Sequence, residues 1–169
     1  MRSGVQIRQW REKDAVQLRS LLHGDADALW VKQFHALHGP AREGPEWRRT
    51  LVVVDAADRL IGCATVTESV LHGGRLPCAV DIAPRARRRG GGRALFEEMK
   101  ALRPDEVRPL STKVRQRDSA AMAFAEATGG RGIPVEPGIA VDPRATAVER
   151  WARGGVPYLM VTVGGDVAR

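Results

Sequence analysis

Ala83-Pro-Arg-Ala-Arg-Arg-Arg-Gly-Gly-Gly-Arg-Ala-Leu95 is the stretch on which the reading of this chain turns. Pro84 ends the apolar run Leu76–Ala83, and Ala94–Leu102 is rich in strong helix formers, so the segment reads as strand, loop, helix. Consecutive glycines before a helix N-terminus let a ligand approach the backbone closely. Free N–H groups there point outward, and the helix dipole adds a partial positive charge. A phosphate is the anion this arrangement suits. The Gly-Lys-Ser/Thr of a P-loop is absent, and a dinucleotide fingerprint would need a parallel βαβ unit with a downstream acid. A flexible basic loop is the bland alternative for a lone Gly-rich stretch.

Upstream of the loop, Val5–Trp10 alternates as a short strand and Asp14 is placed to cap a helix through Leu22. A second helix is expected over Asp25–Leu37, ended by Gly39-Pro40, with Pro40–Pro45 as a loop. Thr50–Val54 and Leu60–Val70 read as strands joined by a turn at Ala56–Arg59. A two-residue hairpin at Gly73-Gly74 would return the chain as Leu76–Ala83, setting Cys63 opposite Pro84 and Cys78 opposite Ser69. Downstream, Leu110–Val114 reads as a strand and Asp118–Ala127 as a helix that Gly129-Gly130 terminates. Ile133–Val141 is expected as a strand, Asp142–Arg153 as a helix and Val156–Val163 as a last strand. There is no internal repeat.

A chain of 169 residues with 43% apolar and 28% charged residues fits one soluble domain, 1–169. Its apolar runs are far shorter than the roughly 18 residues of a membrane span, and no secretory apolar segment follows Met1, so a cytoplasmic protein without a membrane partner is expected. The two cysteines form neither a disulfide framework nor a zinc pattern; they read as free thiols, Cys78 as a buried inert one. His23, His35 and His38 read as helix-face residues and His72 as a turn flank, and no metal site is indicated. Arg85, Arg87, Arg88, Arg89 and Arg93 supply five of the positive charges; without them the formal net charge of +7 falls to +2. That local excess suits a small phosphorylated ligand better than nucleic acid, which needs charge along a whole face.

Ile82-Ala-Pro84 followed by Arg87-Arg-Arg-Gly-Gly-Gly92 resembles the Arg/Gln-x-x-Gly-x-Gly/Ala signature of the GNAT acyltransferases, in which a helix beginning Arg/Lys-Ala-Leu follows, as Arg93-Ala-Leu95 does here. Asp118-Ser-Ala-Ala-Met-Ala-Phe124, then Gly129, is similar to the family's second motif, Asn-x-x-Ala-x-x-Phe-Tyr followed by Gly-Phe. The resemblance covers residues 50–130 well and Val5–Leu22 loosely, and no family motif is recognised in Arg131–Arg169. It implies an α/β (α+β) fold: a mixed, mostly antiparallel central sheet with a parallel splayed pair and helices on both faces.

The resemblance implies acetyl-CoA as co-substrate. Its pantetheine arm would run along Val80, Asp81 and Ile82, and its pyrophosphate would meet the backbone of Arg88, Arg89, Gly90, Gly91, Gly92 and Arg93, with Arg87 at the signature position. Asp118 stands where the family often contacts the cofactor through Asn; helix capping is its alternative role. The implied reaction is direct attack of a neutral amine on the thioester, with a backbone N–H on the oxyanion and thiolate leaving. An amine with a pKa of about 10 needs a base. Glu68 and Asp81 are the candidates, the alternatives being a solvated strand residue and a paired carboxylate, and alternation puts Asp81 on the face opposite Val80 and Ile82. Where many members carry a Tyr that protonates the thiolate, this chain has Ala125; the alignment aims that position at the sulfur with room for a larger side chain, the alternative being that Ala125 is small because another side chain or an unusual acceptor occupies the space. Tyr158 reads as a packed residue rather than a substitute acid.

The activity expected is N-acetyl transfer to a primary amine on a small molecule or peptide, with a homodimer allowed for. The rival from another class is a GNAT-fold acyl-CoA binding or sensing protein without turnover, and a basic nucleic-acid-binding module is a third reading. Small amines, amino acids, aminoglycosides and protein N-termini all remain open as acceptors.

Overall fold

The computed structural model describes residues 5–22, 37–70, 74–115, 118–135 and 158–163. They fall in two compact units, Met1–Glu68 with Cys78–Pro104 and Ser69–Pro77 with Asp105–Arg169. The helices expected over Asp25–Leu37 and Asp142–Arg153 lie outside the described residues, apart from Leu37, as does the end of the Ile133–Val141 strand.

The first unit is built on an antiparallel sheet. Strands β1 (Gln6–Gln9), β2 (Arg48–Val54), β3 (Leu60–Thr67) and the greater part of β4 (Leu76–Ile82) pair in chain order. Because side chains alternate along a strand, the register sorts two faces. Val52, Cys63 and Asp81 share one face with Thr50, Thr65 and Ala79; Leu51, Ala64 and Val80 share the other with Val53, Gly62 and Ile82. Helix α1 (Asp14–Leu22) covers the first face, Leu18 packing with Val52, Val54, Leu60 and Cys63. Helix α2 (Gly91–Ala101) buries Leu95, Phe96 and Met99 and packs on β2 and β3. Gly62 is glycine for a steric reason: a Cβ there would collide with the Ile82 side chain and come within 2.9 Å of Val53 Cγ1.

In the second unit Leu76 and Pro77 pair in parallel with Leu110 and Ser111 of β5 (Leu110–Arg115). Strand β5 runs antiparallel to β7 (Tyr158–Val163), which runs antiparallel to β6 (Arg131–Val135). Helix α3 (Ser119–Ala127) is capped at its start by Asp118, whose carboxylate accepts from the Ala121 amide at 2.9 Å. It ends in a Schellman arrangement: Gly129 takes φ +84°, and the Gly130 amide reaches back to the Ala125 carbonyl at 2.8 Å.

The hairpin register differs from the sequence expectation by three residues. Cys63 stands opposite Asp81, and Cys78 opposite Val66. Leu76 and Pro77 pair with β5, the Leu76 amide donating to Pro109, so the ladder to β3 starts only at Cys78. At the other end β3 stops at Thr67, with the Glu68 amide and the Thr67 hydroxyl both donating to the Trp47 carbonyl. The expected separation of the sulfurs is unaffected: both thiols are free and buried, on opposite faces of the sheet.

Asp14 is a buried ion-pair partner rather than the helix cap that the sequence suggested. Its fully buried carboxylate takes two hydrogen bonds from the Arg8 guanidinium, at 2.8 and 2.9 Å, and one from the Arg11 amide at 2.7 Å. Arg8 also reaches Asp58, which Lys13 bonds as well, so the cluster ties β1 and α1 to the β2–β3 turn. Burial works against ionisation of Asp14, yet the Arg8 and Arg11 hydrogen bonds outweigh it and hold the carboxyl below its ordinary range. Removing one partner of such a pair strands the other, so Asp14→Ala should cost about 3–5 kcal/mol near neutral pH. A depressed folded pKa gives stability that is present above the unfolded value of about 3.9 and is lost as pH falls through the folded value. Urea melts should therefore show the gap between wild type and Asp14→Ala narrowing below about pH 4; a gap constant down to pH 2 would show that the pair contributes nothing.

Candidate functional site

The basic loop leaves β4 at Ala83, turns through Pro84–Ala86 and reaches the first residue of α2 at Gly91. Arg87 folds back and donates through Nε to the Ile82 carbonyl at 3.0 Å, fixing the loop to the strand end. Arg88 takes φ +64° and Gly90 φ +82°, two left-handed residues that swing the chain into the helix. No side chain caps α2 and no acid lies in its first turn. Its first intrahelical hydrogen bond is from the Ala94 amide to Gly90, so the amides of Gly91, Gly92 and Arg93 have no intrahelical acceptor. A Cβ built at Gly90 or Gly91 would meet nothing within 4 Å, so protein packing does not require glycine there. Arg88, Arg89 and Arg93 are exposed around these amides. The arrangement can accept an anion from outside.

The strand leading into this loop presents a hydrogen-bonding edge. The Ala83 amide donates to Ile61, and Asp81 and Ala79 occupy equivalent positions opposite Cys63 and Thr65. In an antiparallel ladder the alternate residues turn their main-chain groups the other way, so Val80 and Ile82 direct theirs to the edge away from β3, the Ile82 carbonyl being the one that Arg87 bonds.

On the α1 face lies a polar cluster that sequence reasoning missed. His38 is buried, with Nδ1 2.7 Å from Thr65 Oγ1 and Nε2 2.7 Å from Asp81 Oδ2. Thr65 Oγ1 is 2.9 Å from Thr50 Oγ1, which the Gly39 amide approaches at 3.4 Å. Arg48, itself buried, donates to the carbonyls of Leu37 and Pro40 on either side of His38. Burial first, and then the charge of Arg42, pull its guanidinium below its ordinary value. His38 is thus a buried partner of Thr65 and Asp81, not the helix-face residue that the sequence pattern predicts. Separated by 43 residues, His38 and Asp81 share no sequence period. The one signal was the polar residues Arg48, Thr50, Thr65 and Thr67 at alternate positions of two largely apolar strands.

The two candidate bases are not brought together. Glu68 lies five residues beyond Cys63, the partner of Asp81, which is about 17 Å along a strand. Burial, and after it the nearby Asp81 charge, push the Cys63 thiol well up, so it is held as an inert thiol. Of the two readings of position 125 the packed one fits: Ala125 is buried against Val114, with Ala121 and Met122 beside it. The motif alignment concerns the helix, whereas the direction of its side chains follows from how that helix packs on β5.

The fold so described is that of the GNAT N-acetyltransferases. Solved structures similar to it over nearly the whole chain include the ribosomal-protein-S18-alanine N-acetyltransferase from Escherichia coli, with a TM-score of 0.62 at 15% identity, covering 98% of this chain and 96% of that one. A nourseothricin acetyltransferase gives 0.61 at 18% identity, over 96% and 99% of the two chains. A spermidine N-acetyltransferase chimera of Vibrio cholerae and hSSAT gives 0.61 at 16%, over 96% of each. No family model matches the sequence, and no curated protein matches it.

Because Ala125 is packed, Ala125→Tyr should destabilise the chain by about 1–3 kcal/mol through overpacking. A thermal melt of that variant checks it, and an unchanged melting temperature would mean that the position opens onto free space.

Proposed function

We propose that this chain is a GNAT N-acetyltransferase that moves an acetyl group from acetyl-CoA to a primary amine by direct attack. One observation carries the reading: a helix N-terminus without a side-chain cap, with glycine faces open to the outside and arginines around it, follows directly on a strand edge. Pyrophosphate would sit on the amides of Gly91, Gly92 and Arg93, with Arg88, Arg89 and Gly90 completing the turn. Arg87 supports this indirectly, since its bond to Ile82 holds the loop against the strand. The pantetheine arm would add along Val80, Asp81 and Ile82 as an extra strand, which lays the thioester beside that edge. Asp118 serves first as a helix cap, its carboxylate being taken by the Ala121 amide.

Asp81 is the better candidate for the base. It lies on the strand that would carry the thioester, a quarter of its side chain is exposed, and Glu68 is distant along the sheet. Asp81 would take the proton of the attacking ammonium, directly or through a water. The amine then attacks the thioester carbonyl, a backbone N–H of the same edge holds the oxyanion, and the C–S bond breaks as the nitrogen's second proton passes to the departing thiolate, directly or through a water. The acceptor is an amine. The similar structures named above act, by their names, on a ribosomal-protein alanine, nourseothricin and spermidine.

Acetyl-CoA should raise the melting temperature by mass action, and Gly91→Glu should abolish the shift. The choice of position matters. Gly91 has an ordinary φ and open space for a side chain, and an acid in the first turn of a helix stabilises it by about 0.3–1 kcal/mol, so the variant stays folded while repelling phosphate. A melting shift that survives in Gly91→Glu would put the ligand elsewhere. In a screen of amines with thiol release as the readout, Asp81→Asn should lower turnover by about 10²-fold or more at neutral pH, with partial recovery at high pH where the amine loses its own proton. Glu68→Gln should leave the rate within about twofold, far from the effect of losing a general base; the reverse pattern would exchange the two roles.

A further inference from the structure

Thr50, Thr65 and His38 are buried polar groups, and each needs a partner. One assignment of hydrogens satisfies them all. The Gly39 amide donates to Thr50 Oγ1, the Thr50 hydroxyl to Thr65 Oγ1, the Thr65 hydroxyl to His38 Nδ1, and His38 Nε2–H to Asp81 Oδ2. With a doubly protonated ring, Nδ1–H would donate to Thr65, the Thr65 hydroxyl would turn to Thr50, and the Thr50 hydroxyl would then need another acceptor. The neutral Nε2–H tautomer leaves no hydrogen unused.

The direction of the chain is informative. The His38 side chain is 0% exposed and Asp81 is 25% exposed, so the carboxylate is the outward member and the imidazole the inward one. This reverses a serine-hydrolase triad, in which the histidine meets the substrate and the carboxylate stands behind it. The backbone around His38 is also braced. Arg48 holds the carbonyls of Leu37 and Pro40, and a Cβ at Gly39 would come 2.6 Å from Arg48 Nη2 and displace that guanidinium.

We propose that His38 is a positioning residue for acetyl transfer, its Nε2–H holding the Asp81 carboxylate in one orientation while Thr65 and Thr50 fix the imidazole tautomer. The proposal rests on the reading of Asp81 as base. In the reaction the ammonium's first N–H bond breaks as an O–H bond forms on Asp81, whose proton passes to solvent; the new N–C bond then forms as C–S breaks, and the second N–H proton passes from the nitrogen to the departing thiolate. His38 keeps its own proton throughout. A charge-assisted hydrogen bond of this kind fixes geometry as well as adding energy, and misplacing a catalytic group by about 1 Å can cost about 10²-fold.

Two variants of the full chain test this. His38→Leu removes the donor, whereas His38→Gln keeps an N–H for Asp81. With an amine that the wild type acetylates, His38→Leu should lower kcat by about tenfold to a hundredfold, with KM for the amine and the acetyl-CoA melting shift little changed. His38→Gln should recover much of kcat. Nitrogen-15 spectra of the imidazoles, assigned by the signal missing in His38→Gln, should show His38 protonated at Nε2 alone. A folded His38→Leu with undiminished kcat, a His38→Gln no faster than His38→Leu, or a ring protonated at Nδ1 would each overturn the role of His38 and leave the acetyltransferase reading standing. A wild type that shifts with acetyl-CoA yet acetylates no amine overturns that reading, and the role of His38 with it.

Discussion

The register between β3 and β4 is the constraint on which the first unit depends. With Cys63 opposite Asp81 and Thr65 opposite Ala79, Ala79 and Asp81 share a face with α1 and His38, and Cys78, Val80 and Ile82 look the other way. The same register turns the main-chain groups of Val80 and Ile82 to the edge away from β3. A slip of one residue would send Asp81 to the face of Val53 and Ala64, away from His38, and would bring Val80 against the threonines. Gly62 guards that register, because the Ile82 side chain occupies the space its Cβ would need.

Two buried polar groups stand on the same face. The Arg8–Asp14 pair joins the first strand and helix to the β2–β3 turn, and the cluster of His38, Thr65, Thr50 and Asp81 joins residues 38–39 to three strands. Polar groups out of water are costly unless each hydrogen finds an acceptor, so both restrict how these elements can meet. They differ in outlook. Asp14 is sealed, whereas Asp81 opens partly to solvent, so the second cluster is the one that the proposed function puts within reach of a substrate.

The loop at residues 84–90 follows a different logic. Packing does not demand its glycines, since a Cβ at Gly90 or Gly91 would point into open space, and three arginines crowd the end of a helix whose dipole already repels cations. Such a cluster is unfavourable by itself. It makes physical sense when an anion is the intended neighbour, and the helix then supplies amides as well as field.

Much of this was written in local sequence. Pro84, the glycines and the helix formers after them mark strand, loop and helix. The apolar runs mark β2, β3 and β4, and Gly129-Gly130 marks the end of α3. These are decided by backbone sterics and short-range periodicity, which act within a few residues. The hairpin register was not legible there, because β4 begins by pairing with β5 before it meets β3. Nor were the roles of His38, Asp14 and Ala125 legible. A histidine between unremarkable neighbours, an aspartate at a helix start and an alanine in a motif acquire meaning from what is packed against them: Asp81 and Thr65, Arg8, and Val114. The sequence alone determined the elements and the Gly/Arg-rich turn before α2. Only the tertiary structure decided which polar groups face one another, because those contacts are made across strands and no local period records them.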